Sequence, residues 1–256
     1  MSIIQGTAKG GSTSFYDYPI GDSLRFDGSS YLSRTPTTTT NSSRTTWTWS
    51  GWVKRSALSS RQCIFGLTPG AANATNFFIE FQANDTLAID AFTFLWRATT
   101  QVFRDSSAFY HVICAVDTTQ ALANNRIRLS VNGTEITSLS TINNPSQNDE
   151  LGVNQASTHY IGSVDSSLYL DGYMANIQFI DGQALDASYF GETKGDIWIP
   201  KRFDGTSSTG GSTVSTDYGT NGFLLDFSSI SGTTINDTAP IDTNHSSANN
   251  WTATGF

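Results

Sequence analysis

The sequence predicts an all-β protein, a two-sheet antiparallel sandwich of jelly-roll type. Three observations predict it. Short apolar runs alternate with polar residues at a period of two, turn signals separate them, and no strand-helix unit repeats along the 256 residues. A hydrophobic content of 38%, with 22 glycines and abundant serine and threonine, suits strands with one wet face better than amphipathic helices. The organisation read from the pattern is an N-terminal arm at 1–21, a sandwich at 22–191 and a C-terminal extension at 192–256.

The arm is rich in Gly, Ser and Thr around an aromatic knot, "FYDYP", with no periodicity. From Ser23 the stretch "SLRFDGSSYLSR" places Leu24, Phe26 and Tyr31 around an Asp27-Gly28 turn, a hairpin signature. In "TWTWSGWVKR" alternation puts Trp47, Trp49 and Val53 on one face and Trp52 on the other. Trp52 therefore either faces a second surface or is swung back by a bulge at Gly51. Further strands are expected in "QCIFGL", "NFFIEFQANDTLAIDAFTF" and "FYHVICAVD". In "RIRLSVNGTEI", Ile127, Leu129 and Val131 face inward and Asn132-Gly133 closes a type I′ turn. "HYIGSV", "LYLDGYMANIQFIDGQAL" and a short helical turn at "LDASYFG" complete the unit.

After "GDIWIPKRFDG" comes a low-complexity stretch, one strand in "NGFLLDF", and a polar tail ending "NNWTATGF". Both ends carry aromatic residues in sequence too sparse in apolar residues to build a core. Phe15, Tyr16, Tyr18, Trp198, Phe223 and Trp251 are therefore expected to anchor an assembly, with covering Trp52 as the competing use.

A net charge of −8 with only 14 scattered Lys and Arg argues against capture of nucleic acid or of an anionic membrane. No apolar run approaches membrane-spanning length, and the opening residues lack a signal-peptide pattern. Cys63 and Cys114 lie in strand-like apolar runs and read as buried free thiols, with a disulfide between them as the lesser alternative.

The order "SLRFDGSSYLSR", "WTWSGWVKR", "RIRLSVNGTEI" and "HYIGS…LYLDGYMANIQFIDGQAL" resembles the laminin G-like branch of the concanavalin A-like lectin/glucanase superfamily over about residues 23–191. The ends, with "IWIPKRFDG…YGTNGFLLDFSS…NNWT", resemble virion proteins of tailed bacteriophages, marine ones especially. In such tails a glycine-rich Ser-Gly-Asn-Gly-Asn-Asp-Trp segment is common; here the stretch reads "HSSANNW".

The chemistry implied is binding. Glucanases of this superfamily place acid and nucleophile on one strand as Glu-x-Asp-x-x-Glu, and none of the four glutamates here, Glu80, Glu135, Glu150 and Glu192, stands in that pattern. His111, His159 and His245 accompany no nucleophile elbow and have no zinc-ligand spacing. The resemblance implies possible calcium at the sandwich rim. The acidic pair usual in the closing strand is replaced by Ala175 and Asn176, leaving Asp85, Asp90, Asp165 and Asp171 as candidate ligands. Metal-free glycan binding needs an aromatic platform with polar neighbours, for which Trp52, Trp96, Tyr110 and Tyr169 are the candidates. The expectation is a non-enzymatic protein of the virion surface, a homo-oligomer with a trimer favoured, contacting other virion subunits. It serves either as a glycan adhesin against the host or as a decoration or short-fibre protein without a ligand, with a glycoside hydrolase as the outsider. With no heptads or shaft-forming repeats, a short appendage is favoured over a long fibre.

Overall fold

The computed structural model describes residues 16–37, 42–69, 76–91, 94–241, 245 and 248–256. In chain order the strands are β1 (Leu24–Asp27), β2 (Tyr31–Arg34), β3 (Thr46–Arg55), β4 (Gln62–Leu67), β5 (Phe77–Phe81), β6 (Thr86–Asp90) and β7 (Leu95–Val102). They continue as β8 (Tyr110–Asp117), β9 (Ile127–Val131), β10 (Thr134–Glu135), β11 (Leu139–Ile142), β12 (His159–Ile161) and β13 (Asp171–Asp181). The remaining strands are β14 (Gly191–Lys194), β15 (Ile197–Pro200), β16 (Phe223–Leu225), β17 (Ile230–Ser231), β18 (Thr234–Ile235) and β19 (Trp251–Thr254).

Two antiparallel sheets result. A seven-stranded sheet runs β1-β13-β3-β8-β9-β10, with β16 also paired to β13. A ten-stranded sheet runs β11-β7-β6-β5-β4-β12-β2-β19-β18-β17. A separate hairpin joins β14 to β15. Alternation decides what lies between the sheets. Trp47, Trp49 and Val53 of β3 meet Phe65, Phe77, Ile79 and Phe81 of the facing sheet, together with Ile127, Leu129 and Val131 of β9. Trp47 sits edge-on to Phe77 at 5.1 Å and Trp49 stacks on Phe65 at 6.0 Å, so the rings interlock across the gap.

The Asn132-Gly133 turn closes the β9–β10 hairpin as expected, with φ of 48° and 82°. The Asp27-Gly28 turn forms, but it closes no hairpin. Asp27 Oδ1 accepts the backbone N–H groups of Ser29 and Ser30, and the chain then leaves for the other sheet, because β1 pairs with β13 and β2 with β12 and β19. The short helical turn is the 3-10 turn Ala187–Tyr189, capped by the Asp186 side chain.

The residues after 191 are not an appendage. β16 extends the seven-stranded sheet beside β13, and β19 pairs with β2 to bring β18 and β17 into the ten-stranded sheet. A second apolar cluster lies on the outer face of the seven-stranded sheet, where Ile113 and Ile180 are covered by Leu185, Tyr189, Phe190, Phe203 and Tyr218. The expected assembly anchors are largely used here. Phe223 and Trp251 are only 2% and 1% exposed and belong to the main core, so neither ring has a face left for a partner. Trp198 packs against the second cluster, and the Tyr18 hydroxyl donates to Asn176 Oδ1 while Arg202 lies over its ring. Tyr16, 44% exposed, is the ring that stays on the surface, and Phe15 lies outside the described residues. The apolar residues that looked too sparse for a core suffice once they share one with the sandwich.

Candidate functional site

Trp52 answers to its alternation. The β3–β8 register is unbroken through Gly51↔Val112 and Trp52↔His111; the irregularity lies in β13, opposite Gly51, where Asn176 takes φ 47°. A side chain at Gly51 would run into the Trp49 indole. Trp52 thus stays on the outer face, stacked on His111 with centroids 4.6 Å apart and planes 2° from parallel. Trp198 stacks on the same imidazole at 6.0 Å. Its indole N–H donates to His111 Nδ1 at 2.9 Å, which leaves the ring proton on Nε2, 2.8 Å from Ser50 Oγ. Burial pushes the His111 pKa down to about 3, so the ring is neutral. A histidine that gives its proton to serine cannot take the serine's, and the pair is not a nucleophile. Trp52 forms the floor of a largely apolar cleft of about 330 Å³, walled by Phe109 and Pro200 and by Tyr16, Pro19 and Ile20 of the arm.

The other three ring candidates part company. Trp96, 7% exposed, sits edge-on to Phe94 inside the main core. Tyr110 also packs against that core, edge-on to Phe103, and its hydroxyl accepts the Asp105 N–H at 2.8 Å. Neither is a platform, because both project between the sheets. Tyr169 lies outside, 6.2 Å from Tyr31, which lies 5.8 Å from Tyr160. Paired residues share a face, and the registers Tyr160↔Ser33, Ser33↔Thr252 and Tyr31↔Thr254 set three hydroxyls beside the three half-buried rings. The exposed Asp165 adjoins them; its charge and that of Tyr31 add to burial in raising the Tyr160 pKa. The loop bearing Asp165 is strained, since Asp165, Ser166 and Leu168 all take left-handed φ of 46–54°. It is held by Val164–Ser167 backbone bonds of 2.9 and 2.8 Å and by the Cys63 N–H on the Leu168 carbonyl. Tyr31 and Tyr160 were missed in the sequence. Their signal was the alternation in "YLSR" and "HYI", but only the long-range β2–β12 pairing unites them.

The four candidate calcium ligands do not converge. Asp85 is clamped by Arg55 at 3.0 Å and Arg104 at 2.8 Å and accepts the Ser59 N–H. Although burial works against it, these partners hold its carboxyl below the usual range. Asp171 pairs with Arg25 at 2.6 Å, Asp90 with Arg61 at 3.1 Å, and Asp165 stands apart in its loop. Among the described residues no group of three or more His, Cys, Asp or Glu is arranged to hold a metal ion. At Asp85, Asp90 and Asp171 an arginine already occupies the position a cation would take. Cys63 and Cys114 are buried free thiols.

One acidic pair is unusual. Glu80 and Asp90, on the outer face of β5 and β6, share Arg61, at 2.7 and 3.1 Å, and the Gln82 amide. Burial first, then the neighbouring Asp90 against the lowering pull of Arg61, raises the Glu80 pKa to about 7. A glycosidase needs its two carboxyls on either side of a sugar bond. Here a guanidinium and an amide are bound between them.

The site and fold define a lectin-like sandwich. The chain belongs to the concanavalin A-like lectin/glucanases superfamily, whose laminin G model matches residues 26–189. No curated protein matches it. Among solved structures, a candidate carbohydrate-binding protein from Bacteroides ovatus shares 15% identity at a TM-score of 0.56, covering 91% of this chain and 58% of its own. A heptameric SAP-like pentraxin from Limulus polyphemus shares 15% at 0.43, over 64% and 76% of the two chains. The K499G mutant of NanB sialidase from Streptococcus pneumoniae shares 17% at 0.42, over 69% and 30%. The chain thus spans little more than half of the Bacteroides protein.

Proposed function

We propose that this protein is a non-enzymatic glycan-binding module, displayed on the surface of a tailed-phage particle and directed at host-surface saccharides. The observation that carries the reading is the Tyr31–Tyr160–Tyr169 cluster, with Ser33, Thr252 and Thr254 beside it on the outer face of the ten-stranded sheet. Sugar C–H faces stack on such rings while hydroxyls exchange hydrogen bonds with the neighbours. Two observations speak for binding rather than catalysis: His111 is held in the tautomer that cannot activate Ser50, and Glu80 and Asp90 are bound by Arg61. The virion setting rests on the sequence form of the two ends.

The test is a binding screen of the full chain against bacterial surface polysaccharides, comparing the native protein with Tyr160→Ala and Tyr31→Ala. Losing one stacking ring should weaken binding about tenfold, roughly 1.4 kcal/mol. Unchanged affinity in both variants would remove the platform from the proposal. A density map of the particle tests the setting.

A further inference from the structure

Beyond Trp198, on the outer side of the seven-stranded sheet, lies a second cleft of about 470 Å³, larger and more polar than the one at Trp52. Ser130 of β9 and Glu135 of β10 form one wall; Glu192 of β14 and Trp198 of β15 form another, and Asp186 lies at the rim. The Trp198 ring is fixed. Its N–H is committed to His111, and it is wedged between Gly133 and Gly191 so closely that a Cβ on either would overlap it. Asp186 Oδ1 already accepts the Ser188 N–H and hydroxyl, at 2.8 and 2.5 Å, and the other two acids are largely uncommitted. Among the described residues Glu135 has only Arg128, at 4.0 Å, and the Glu192 carboxylate has no hydrogen-bond or ion-pair partner. Ser130 supplies an independent sign of a ligand. It is 8% exposed, its remaining surface lies in this cleft, and its hydroxyl has no hydrogen-bond partner among the described residues. That hydroxyl opens into the cleft, where it can donate to or accept from a bound group.

We infer that this cleft binds a saccharide unit that is neutral or amino-bearing, and rejects sugar acids. Carboxylates accept hydrogen bonds from hydroxyls and, more strongly, from a protonated amine. Three carboxylates in a chain of net charge −8 repel an anionic sugar. The rigid indole edge supplies the apolar surface that every pyranose ring also needs. The site is separate from the tyrosine cluster and does not rest on it.

Calorimetric titration of the full chain with three oligosaccharides of equal length tests the inference: a glucosamine oligomer, a cello-oligomer and an oligogalacturonate. The glucosamine oligomer should bind most tightly and the oligogalacturonate not measurably. Glu192→Gln, an isosteric change at a partly exposed position, should weaken the glucosamine oligomer about tenfold with the melting temperature unchanged, and Tyr160→Ala should leave it intact. Binding of the oligogalacturonate as tight as that of the glucosamine oligomer overturns the inference, as does failure of all three to bind. Glucosamine-oligomer binding that Tyr160→Ala abolishes and Glu192→Gln spares overturns it too, and leaves the tyrosine platform standing.

Discussion

The two outer faces of the sandwich receive opposite treatment. On the seven-stranded sheet, Ile113 and Ile180 are roofed by Leu185, Phe190, Phe203 and Tyr218, and His111 lies between two indoles. On the ten-stranded sheet a short loop covers Cys63 and Phe78 with Val164 and Leu168, and the three tyrosines remain half-exposed. The difference teaches which aromatic residues are structural. Those under the extension are fixed by packing from both sides, and those on the opposite face, two on strands and Tyr169 on a loop, have no cover and keep a surface for a partner.

The comparison breaks most completely if the extension is removed. Deleting 192–256 takes away β15 to β19 and nearly all of β14 and uncovers the second core, so the remainder should lose cooperative thermal unfolding in circular dichroism. A truncated chain that still melts sharply within a few degrees of the full one would make the extension decoration. Single truncations come next. Trp49→Ala in the main core and Phe190→Ala in the second should each cost about 3–5 kcal/mol in denaturant unfolding. If Phe190→Ala costs under about 1 kcal/mol, the covered face is not a true core. On the opposite face Tyr160→Ala should cost less than about 1 kcal/mol of stability, since the ring is half in water already. A loss near that of Phe190→Ala would show the tyrosines to be structural.

The smallest effect is in pH. Glu80 lies on the open face with its pKa raised to about 7 from 4.5, so the folded state binds its proton more readily and this group adds stability as pH falls through 7 toward 4.5. His111 lies under the cover with its pKa lowered to about 3 from 6.5, so its contribution is present above 6.5 and is lost as pH falls toward 3. The two faces therefore titrate in opposite senses. Melting curves across this range should show native protein gaining on Glu80→Gln as pH falls from about 7 to about 4.5. Parallel curves would mean that the glutamate is not held as described.

Much of this was legible in the sequence, and the limits have a physical cause. Alternation fixed the inward face of Trp47 and Trp49, the outward turn of Trp52 and the β9–β10 hairpin, because these depend on neighbours a few residues apart. Trp96 gave no such sign, since being inside depends on β11, across the edge, and on the opposite sheet. The Asp27-Gly28 turn was visible but not its destination. Phe223 and Trp251 lie in polar surroundings in sequence and in a dense core in space, and only pairings spanning tens to hundreds of residues make that so. The tyrosine cluster failed to appear for the same reason: Tyr31 and Tyr160 meet through a register between distant strands.

One pairing also sets the order in which the molecule can be completed. β19 stands between β2 and β18, so residues 230–235 enter the ten-stranded sheet only through residues 251–254. During synthesis β2 is made early, and its free edge waits for more than two hundred residues to leave the ribosome. Until then Leu32 lies on an open margin, a ready template for the same strand of a neighbouring nascent chain. Crowded translation of this protein should thus favour strand exchange between copies, with slow passage through residue 254 lengthening the interval in which it can happen.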